Sequence, residues 1–510
     1  MKVLKIGISI ILCCFIAVGN AQLASYSTSD ITHDLMFFTD WTGSKLVDGF
    51  KKKQLKNFSS PLMRSVAEAL YKDQYDATYR LHAYKPVPSN KELVDKLKLY
   101  DGYSNYENMT GMYLEAGEHV ILAGDIHGRS VGLLIPDWMR QPTPGFKPTE
   151  DPEGWGLKRQ YIALHEGVNV IYVEKSGNVY VDYYVDDPET APAIILHFLT
   201  GKVNGYFDSS IQNNNDWNTL LDCAVSPVLD VKGKYMQLAY PVEYLKKYAY
   251  GEGEELVNCY DRIMEAQYRF SGAIKYNRIP NKRILARVNY NYFMFRDGDG
   301  VAFEGTDGTM KEALSSLVIT NWGIHHEIGH VMQMRPQLTW GGMTEVSNNL
   351  FSMYGTMSLG ASSRLVDDKV YESAFREVLD APEKPFILTV QDPFRKLVPF
   401  WQLHVYFYKK GYPDFYADVM EYMRTHPHRG DGNASIRNMY EFVKICCDIG
   451  KTDLLDFFEA WGFFVPGTYD VDDYAHYRFE VTSEMIEETR EYVESKHYPK
   501  ADECIFRLTD

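Results

Sequence analysis

The chain is 510 residues long and carries 69 acidic against 53 basic side chains, a net charge of −16. Such a length allows about three domains, each with ample core. The acidic balance excludes the basic footprint that nucleic-acid binding needs and argues against docking on anionic membranes.

In residues 1–21, Lys2 and Lys5 precede an apolar run through Val18 and the small-residue site Gly19-Asn20-Ala21, so the segment reads as a secretory signal peptide cleaved before Gln22. Cys13 and Cys14 lie inside the apolar run without the small residue that a lipid-attachment cysteine wants before it. No other stretch of about 18 apolar residues occurs, so no membrane span is expected. The mature chain is expected to be secreted, whether periplasmic, surface-held or extracellular. Its cysteines, Cys223, Cys259, Cys446, Cys447 and Cys504, are too scattered for a disulfide framework. Cys446 and Cys447 read as small hydrophobes buried in an apolar helix over 440–449.

Residues 22–106 mix short amphipathic patterns, at 61–72 and 91–99, with polar connections, which predicts a small, mostly helical N-terminal domain. The period then changes to two, with runs at 110–114, 119–123, 131–136, 161–163, 168–174, 179–185 and 193–198. Regular strands between Gly, Asp and Pro turns predict a β-sandwich over 107–205. Within it, His165-Glu166 lacks a histidine four residues on and reads as a turn. Residues 206–510 form the third expected unit. Helices are expected at 235–248 and 254–270, and a strand over 283–295, rich in valine, tyrosine and phenylalanine. The turn at Arg296-Asp297-Gly298-Asp299-Gly300 leads into Val301-Ala302-Phe303. It reads as a hairpin, because the glutamate that closes a calcium loop is missing. Further helices are expected at 396–409, 413–424, 436–449 and 453–461, with His426-Pro427-His428 in a solvated loop.

The chemistry concentrates in 321–352, which contains His326-Glu327-Ile328-Gly329-His330. On a helix, residues four apart share a face, so His326 and His330 can offer two imidazole nitrogens to one metal ion, with zinc the default. Glu327, beside the first donor, can take a proton from a zinc-activated water as general base. A catalytic zinc wants three protein donors, and Glu345 arrives on a second apolar helix beyond the break at Arg335-Pro336 and Gly341-Gly342. Asn349, one turn later, is placed to orient a histidine through its amide. His325 has no histidine four residues on and reads as core or surface. Charge on a carbonyl oxygen in the transition state needs a further donor, and Tyr354, His404 and Tyr406 are candidates.

The residues 326–333, HEIGHVMQ, then Trp340, Thr344-Glu345-Val346 and Asn349-Leu350-Phe351-Ser352, resemble the M60 peptidase family, the enhancin-like gluzincins. The segments 399–403, 453–458 and 460–463 resemble that family's helical end, and 110–113 with 116–118 the start of its sandwich. The likeness spans about 110–464. It implies a multi-domain α+β protein, a β-sandwich followed by a zincin-type catalytic domain with a helical C-terminal part. It implies His326, His330 and Glu345 as zinc donors and Glu327 as base. It also implies cleavage of glycoproteins, often near O-glycosylated serine or threonine, by secreted or surface enzymes of bacteria on mucosal hosts. No separate carbohydrate-binding domain is evident at either end, a departure from that pattern.

Two other readings share these residues. A glycan- or protein-binding protein would carry an inert metal site, against which the intact Glu327 argues. A zinc hydrolase of small amides or peptides would use every one of the same donors. Aromatic residues Tyr290, Tyr292, Phe293 and Phe295 beside the expected sheet edge could face a sugar ring on one side and the core on the other, and most are expected to be core. That edge is expected to bind substrate as an added strand.

Overall fold

The computed structural model describes residues 26–99, 102–154, 156–427 and 432–510; the signal-peptide reading and His428 lie outside them. The first helices are capped as their sequence dictates. Ser27 Oγ accepts from the Asp30 N–H, and Ser60 Oγ accepts from the Met63 N–H with Pro61 in the first turn, each cap stabilising by about 1 kcal/mol. The buried carboxylate of Asp34 accepts from the Ser59 and Ser60 N–H groups and joins the two segments. Their apolar faces, Ile31, Leu35, Met63 and Val66, share one cluster with Val120, Leu122 and Val168 from the sheet beneath.

Strands occur at all seven period-two runs. One antiparallel sheet runs Leu81–Tyr84, Ile194–Phe198, Gly117–Ala123, Gly167–Val173. The other runs Lys202–Val203, Met109–Leu114, Gly177–Asp182, Gly132–Pro136, Arg159–Ala163. Ile121, Ile171 and Leu196 from the first and Leu133, Val179 and Val181 from the second lie in one apolar core. Leu81–Tyr84 falls in the stretch expected to be helical. Its four residues carry too little periodicity to be told from a loop, and pairing with Ile194–Phe198 makes it a strand.

A six-stranded sheet follows, in the order Phe207–Asp208, Val228–Lys232, Met236–Pro241, Ile284–Asn289, Gly300–Glu304, Met294–Asp297. Two expectations are corrected here. The helix expected over 235–248 is a strand, Met236–Pro241, followed by the helix Val242–Tyr248. Every residue of that strand is buried, so it lacks the alternation that marks a half-exposed strand. The strand expected over 283–295 is two. Ile284–Asn289 lies inside the sheet, and Asn289 then turns the chain by accepting from the Asn291 and Tyr292 N–H groups, both at 2.9 Å. The edge strand is Met294–Asp297, joined to Gly300–Glu304 by the expected hairpin. Gly300 is required there: its φ is +112°, and a Cβ would lie 2.2 Å from the Leu285 carbonyl oxygen.

Beneath this sheet lie the motif helix, Trp322–Met332, and the glutamate helix, Thr344–Ser358. Asn321 caps the motif helix by accepting from the Ile324 N–H at 3.0 Å. The helix buries Ile324, Ile328, Val331 and Met332, each such burial worth about 1.5–3 kcal/mol. It ends at Gln333 in extended backbone, ahead of a cis Arg335-Pro336 bond. The two helices touch at Gly329, where a Cβ would stand 2.7 Å from the Asn348 carbonyl oxygen. A side chain there would push the helices apart and separate the histidines from Glu345.

Gly253–Phe270, near its expected place, and Pro393–Lys409 pack on the glutamate helix, and Phe415–Thr425, Arg437–Gly450 and Leu455–Ala460 contribute to the same apolar core. Cys446 and Cys447 are buried among them as free thiols. A hairpin of Gly467–Asp472 and His476–Val481, unforeseen in the sequence, closes over the start of the glutamate helix. Among the described residues no helix is long and apolar enough to cross a membrane.

Candidate metal centre and cleft

His326 and His330 lie one turn apart with ring centroids separated by 4.8 Å. Glu345 reaches across from the second helix, Oε2 lying 3.1 Å from His326 Nε2 and Oε1 3.6 Å from His330 Nε2. One donor atom from each lies within 4.8 Å of the others, and this is the one such group among the described residues.

Both imidazoles are held through their far nitrogens. Asn349 Oδ1 lies 2.8 Å from His326 Nδ1, and its amide nitrogen donates to the Glu345 carbonyl, which sets the amide's orientation. Gln333 Oε1 lies 3.0 Å from His330 Nδ1, its own nitrogen donating to the Thr344 carbonyl and Ser347 Oγ. In the neutral form that metal binding needs, each ring carries its proton on Nδ1 and turns Nε2 toward Glu345, where the Asn348 amide nitrogen also approaches, 3.1 Å from His326 Nε2 and 3.0 Å from His330 Nε2. Two neutral imidazoles and a carboxylate, each histidine braced from behind, fit a zinc ion with an open position. Gln333 was missed in the sequence, although its spacing three residues after His330 puts both on one helical face. Replacing Gln333 with leucine is expected to weaken metal affinity about ten- to a hundredfold in competition with a chromophoric chelator. Unchanged affinity would show that His330 is oriented by something else.

Burial pushes the Glu327 carboxyl up to about 7; His326 opposes this and the negative Glu345 reinforces it. Burial also depresses His330 to about 4. In the paired His326 and Glu345, burial disfavours both charges, yet their mutual hydrogen bond and attraction prevail, raising the histidine and lowering the glutamate. His325 is fully buried, its Nε2 3.1 Å from the Ile319 carbonyl oxygen and its ring against Gly355, a core role.

His326, Glu327, His330, Gln333 and Glu345 line the floor of a cleft of about 670 Å³. The edge strand, from Met294 to Arg296, forms one side and the hairpin, through Tyr474 and Tyr477, the other. Thr149 reaches the rim from the two-sheet region on a loop knotted by Asp151. The Asp151 carboxylate accepts from Thr143 Oγ1 and the Thr143 and Glu153 N–H groups, and pairs with Arg140. Of the aromatic residues near the edge, Phe295 is buried, Tyr290 half-buried, and Tyr292 and Phe293 are exposed.

Tyr354, His404 and Tyr406 do not reach this cleft. Tyr354 stacks on Phe270 and His404 packs at a tilt against Trp401, while the Tyr406 hydroxyl accepts from the Asp502 N–H at 3.2 Å. Apolar helices bury such rings, and helical periodicity alone does not distinguish a core tyrosine from one at a cleft. The hydroxyl beside the donor group belongs to Tyr474, 2.8 Å from Glu345 Oε1. His426 stacks on Tyr422 at the surface, away from the cleft.

The family model described as Peptidase M60, enhancin and enhancin-like matches residues 203–462, more than half of the chain. The chain belongs to the M60 family. A metallopeptidase from Bacteroides thetaiotaomicron is similar in structure, with a TM-score of 0.79 at 23% identity over 96% of this chain and 82% of that one. A metallopeptidase in complex with Tn antigen gives 0.72 at 23% identity, over 86% and 81%. The M60 catalytic domain of Clostridium perfringens ZmpC, in complex with the sialyl T antigen, gives 0.64 at 17%, over 84% and 82%. At these identities the likeness is one of fold. No match occurs among curated proteins.

Proposed function

We propose that this M60 member is a secreted zinc-dependent endopeptidase that hydrolyses peptide bonds in glycoproteins, with mucin-type O-glycoproteins as substrates. The observation that carries the reading is the joint placement of His326, His330, Glu345 and Glu327 on the floor of a cleft beside an open sheet edge. His326, His330 and Glu345 would hold the zinc. When bound, zinc acts as a Lewis acid that polarises the substrate carbonyl and acidifies water. Glu327 takes the proton of the attacking water as its oxygen bonds to the carbonyl carbon, then passes that proton to the nitrogen as the C–N bond breaks. The edge strand Met294–Asp297 holds the substrate backbone as an added strand, leaving its side chains to the rims. The domain plan is a leader over 22–106, a β-sandwich over 107–205 and a gluzincin-type catalytic domain over 206–510, exported by the signal peptide at 1–21 of a bacterial chain.

The O-glycoprotein assignment is supported by the Tn and sialyl T antigens bound in two structures of the same fold. The exposed rings of Tyr292 and Phe293 beside the edge strand support it further, since a sugar face packs on such rings. The pure protein, incubated with an O-glycoprotein and with the same polypeptide stripped of glycan, is expected to cut the glycosylated form faster at termini mapped by mass spectrometry. Polar groups shaped for the sugar would be left unpaired on the bare chain. Equal cleavage of both would remove glycan recognition and leave a general zinc endopeptidase.

A further inference from the structure

The hairpin that walls the cleft has features that packing does not account for. Tyr474, at its tip, is 88% exposed, so its ring adds little to any core. Its φ is +56°, the left-handed region that a bulky side chain adopts only at a cost and that turns usually reserve for glycine or asparagine. The tip is nevertheless fixed. Asp473 Oδ2 accepts from the Gly342 N–H at 2.8 Å and the Thr344 N–H at 3.0 Å, at the start of the glutamate helix, where the helix dipole favours an anion. Thus the residue before Tyr474 is tied one residue ahead of Glu345, and the Tyr474 hydroxyl donates to Glu345 Oε1 at 2.8 Å.

We infer that Tyr474 is a catalytic residue: its hydroxyl donates to the carbonyl oxygen of the scissile bond as negative charge develops there, with Asp473 as the latch that holds it in reach. This rests on the metallopeptidase reading above. In the resting site the hydroxyl is parked on Glu345; a substrate carbonyl entering the same cleft offers a new acceptor, reached by side-chain rotation with the latched backbone unmoved. A donor of this kind strengthens its bond only as the oxygen becomes anionic, so it lowers the barrier without tightening substrate binding. The alternative is a positioning role, in which Tyr474 only orients Glu345 for the metal.

The two roles separate in Tyr474→Phe, which keeps the ring and removes the donor. The catalytic role expects kcat at saturating zinc to fall about a hundredfold or more with KM nearly unchanged, and zinc affinity, measured by chelator competition, to stay at the wild-type value. Weakened zinc affinity with normal kcat at saturating zinc would overturn it in favour of positioning. Asp473→Asn retains the hydroxyl but weakens the latch, and is expected to lower kcat by a smaller factor; an unchanged kcat would remove the latch from the proposal. Wild-type cleavage of an O-glycoprotein that persists after zinc removal would sink the metallopeptidase reading and this role with it. Zinc-dependent cleavage that Tyr474→Phe leaves at full rate overturns Tyr474 alone.

Discussion

Glu327→Gln is expected to keep zinc and fold while lowering turnover by roughly a hundredfold to ten-thousandfold, the range that general acid–base catalysis supplies. The side chain is almost fully buried beside His326, and glutamine has its shape, so little of the fall can come from repacking. What is lost is the proton acceptor. Burial raises the glutamate's proton affinity, whereas an amide cannot take the proton at all. The measurement is turnover of an O-glycoprotein at matched zinc content; near-normal turnover would refute the assignment.

Glu345→Ala is expected to weaken zinc binding by more than the ten- to hundredfold assigned to an outer partner such as Gln333, because a charged donor itself disappears. The fold should survive, since Glu345 contributes no core contact and the helix around it is anchored by Val346, Leu350 and Phe351. Its loss also strips Tyr474 of its resting acceptor. Chelator competition on the purified variant checks this, and wild-type affinity would move the third donor to another residue.

The residues of the proposed centre were legible because helical spacing is local information: two histidines four apart and a glutamate with an asparagine four later each define a helix face without knowledge of the fold. The bond from Asn349 to His326 follows from the same logic. In the two-sheet region Arg159–Ala163 alternates in exposure, whereas Gly132–Pro136 and Gly177–Asp182 are buried almost throughout and were legible from the Gly, Asp and Pro turns that bound them. The miss at 235–241 came from a strand buried on both faces, where alternation vanishes, and the miss at 283–295 from an asparagine turn concealed in an aromatic run. Tyr474 was invisible for a different reason. It is joined to Glu345 across 129 positions of chain, and an exposed tyrosine between two strands carries no periodic signal.

The M60 match ends at residue 462, before the hairpin, and begins at 203, after the loop that carries Thr149. Of the residues that wall the cleft, Thr149, Tyr474 and Tyr477 therefore lie outside the matched portion, while the edge strand and the floor lie within it. A chain cut to 203–462 would retain Glu327 and the three donors and lose Thr149 and Tyr474 together. The Thr149 side of the cleft is in this sense separately adjustable: the Asp151-knotted loop can be lengthened to reshape the cleft without disturbing the helices that hold the histidines. The hairpin has less latitude, because its tip is tied through Asp473 to the backbone just ahead of Glu345. Retargeting the enzyme by design should begin at the Thr149 rim and leave the Asp473 latch untouched.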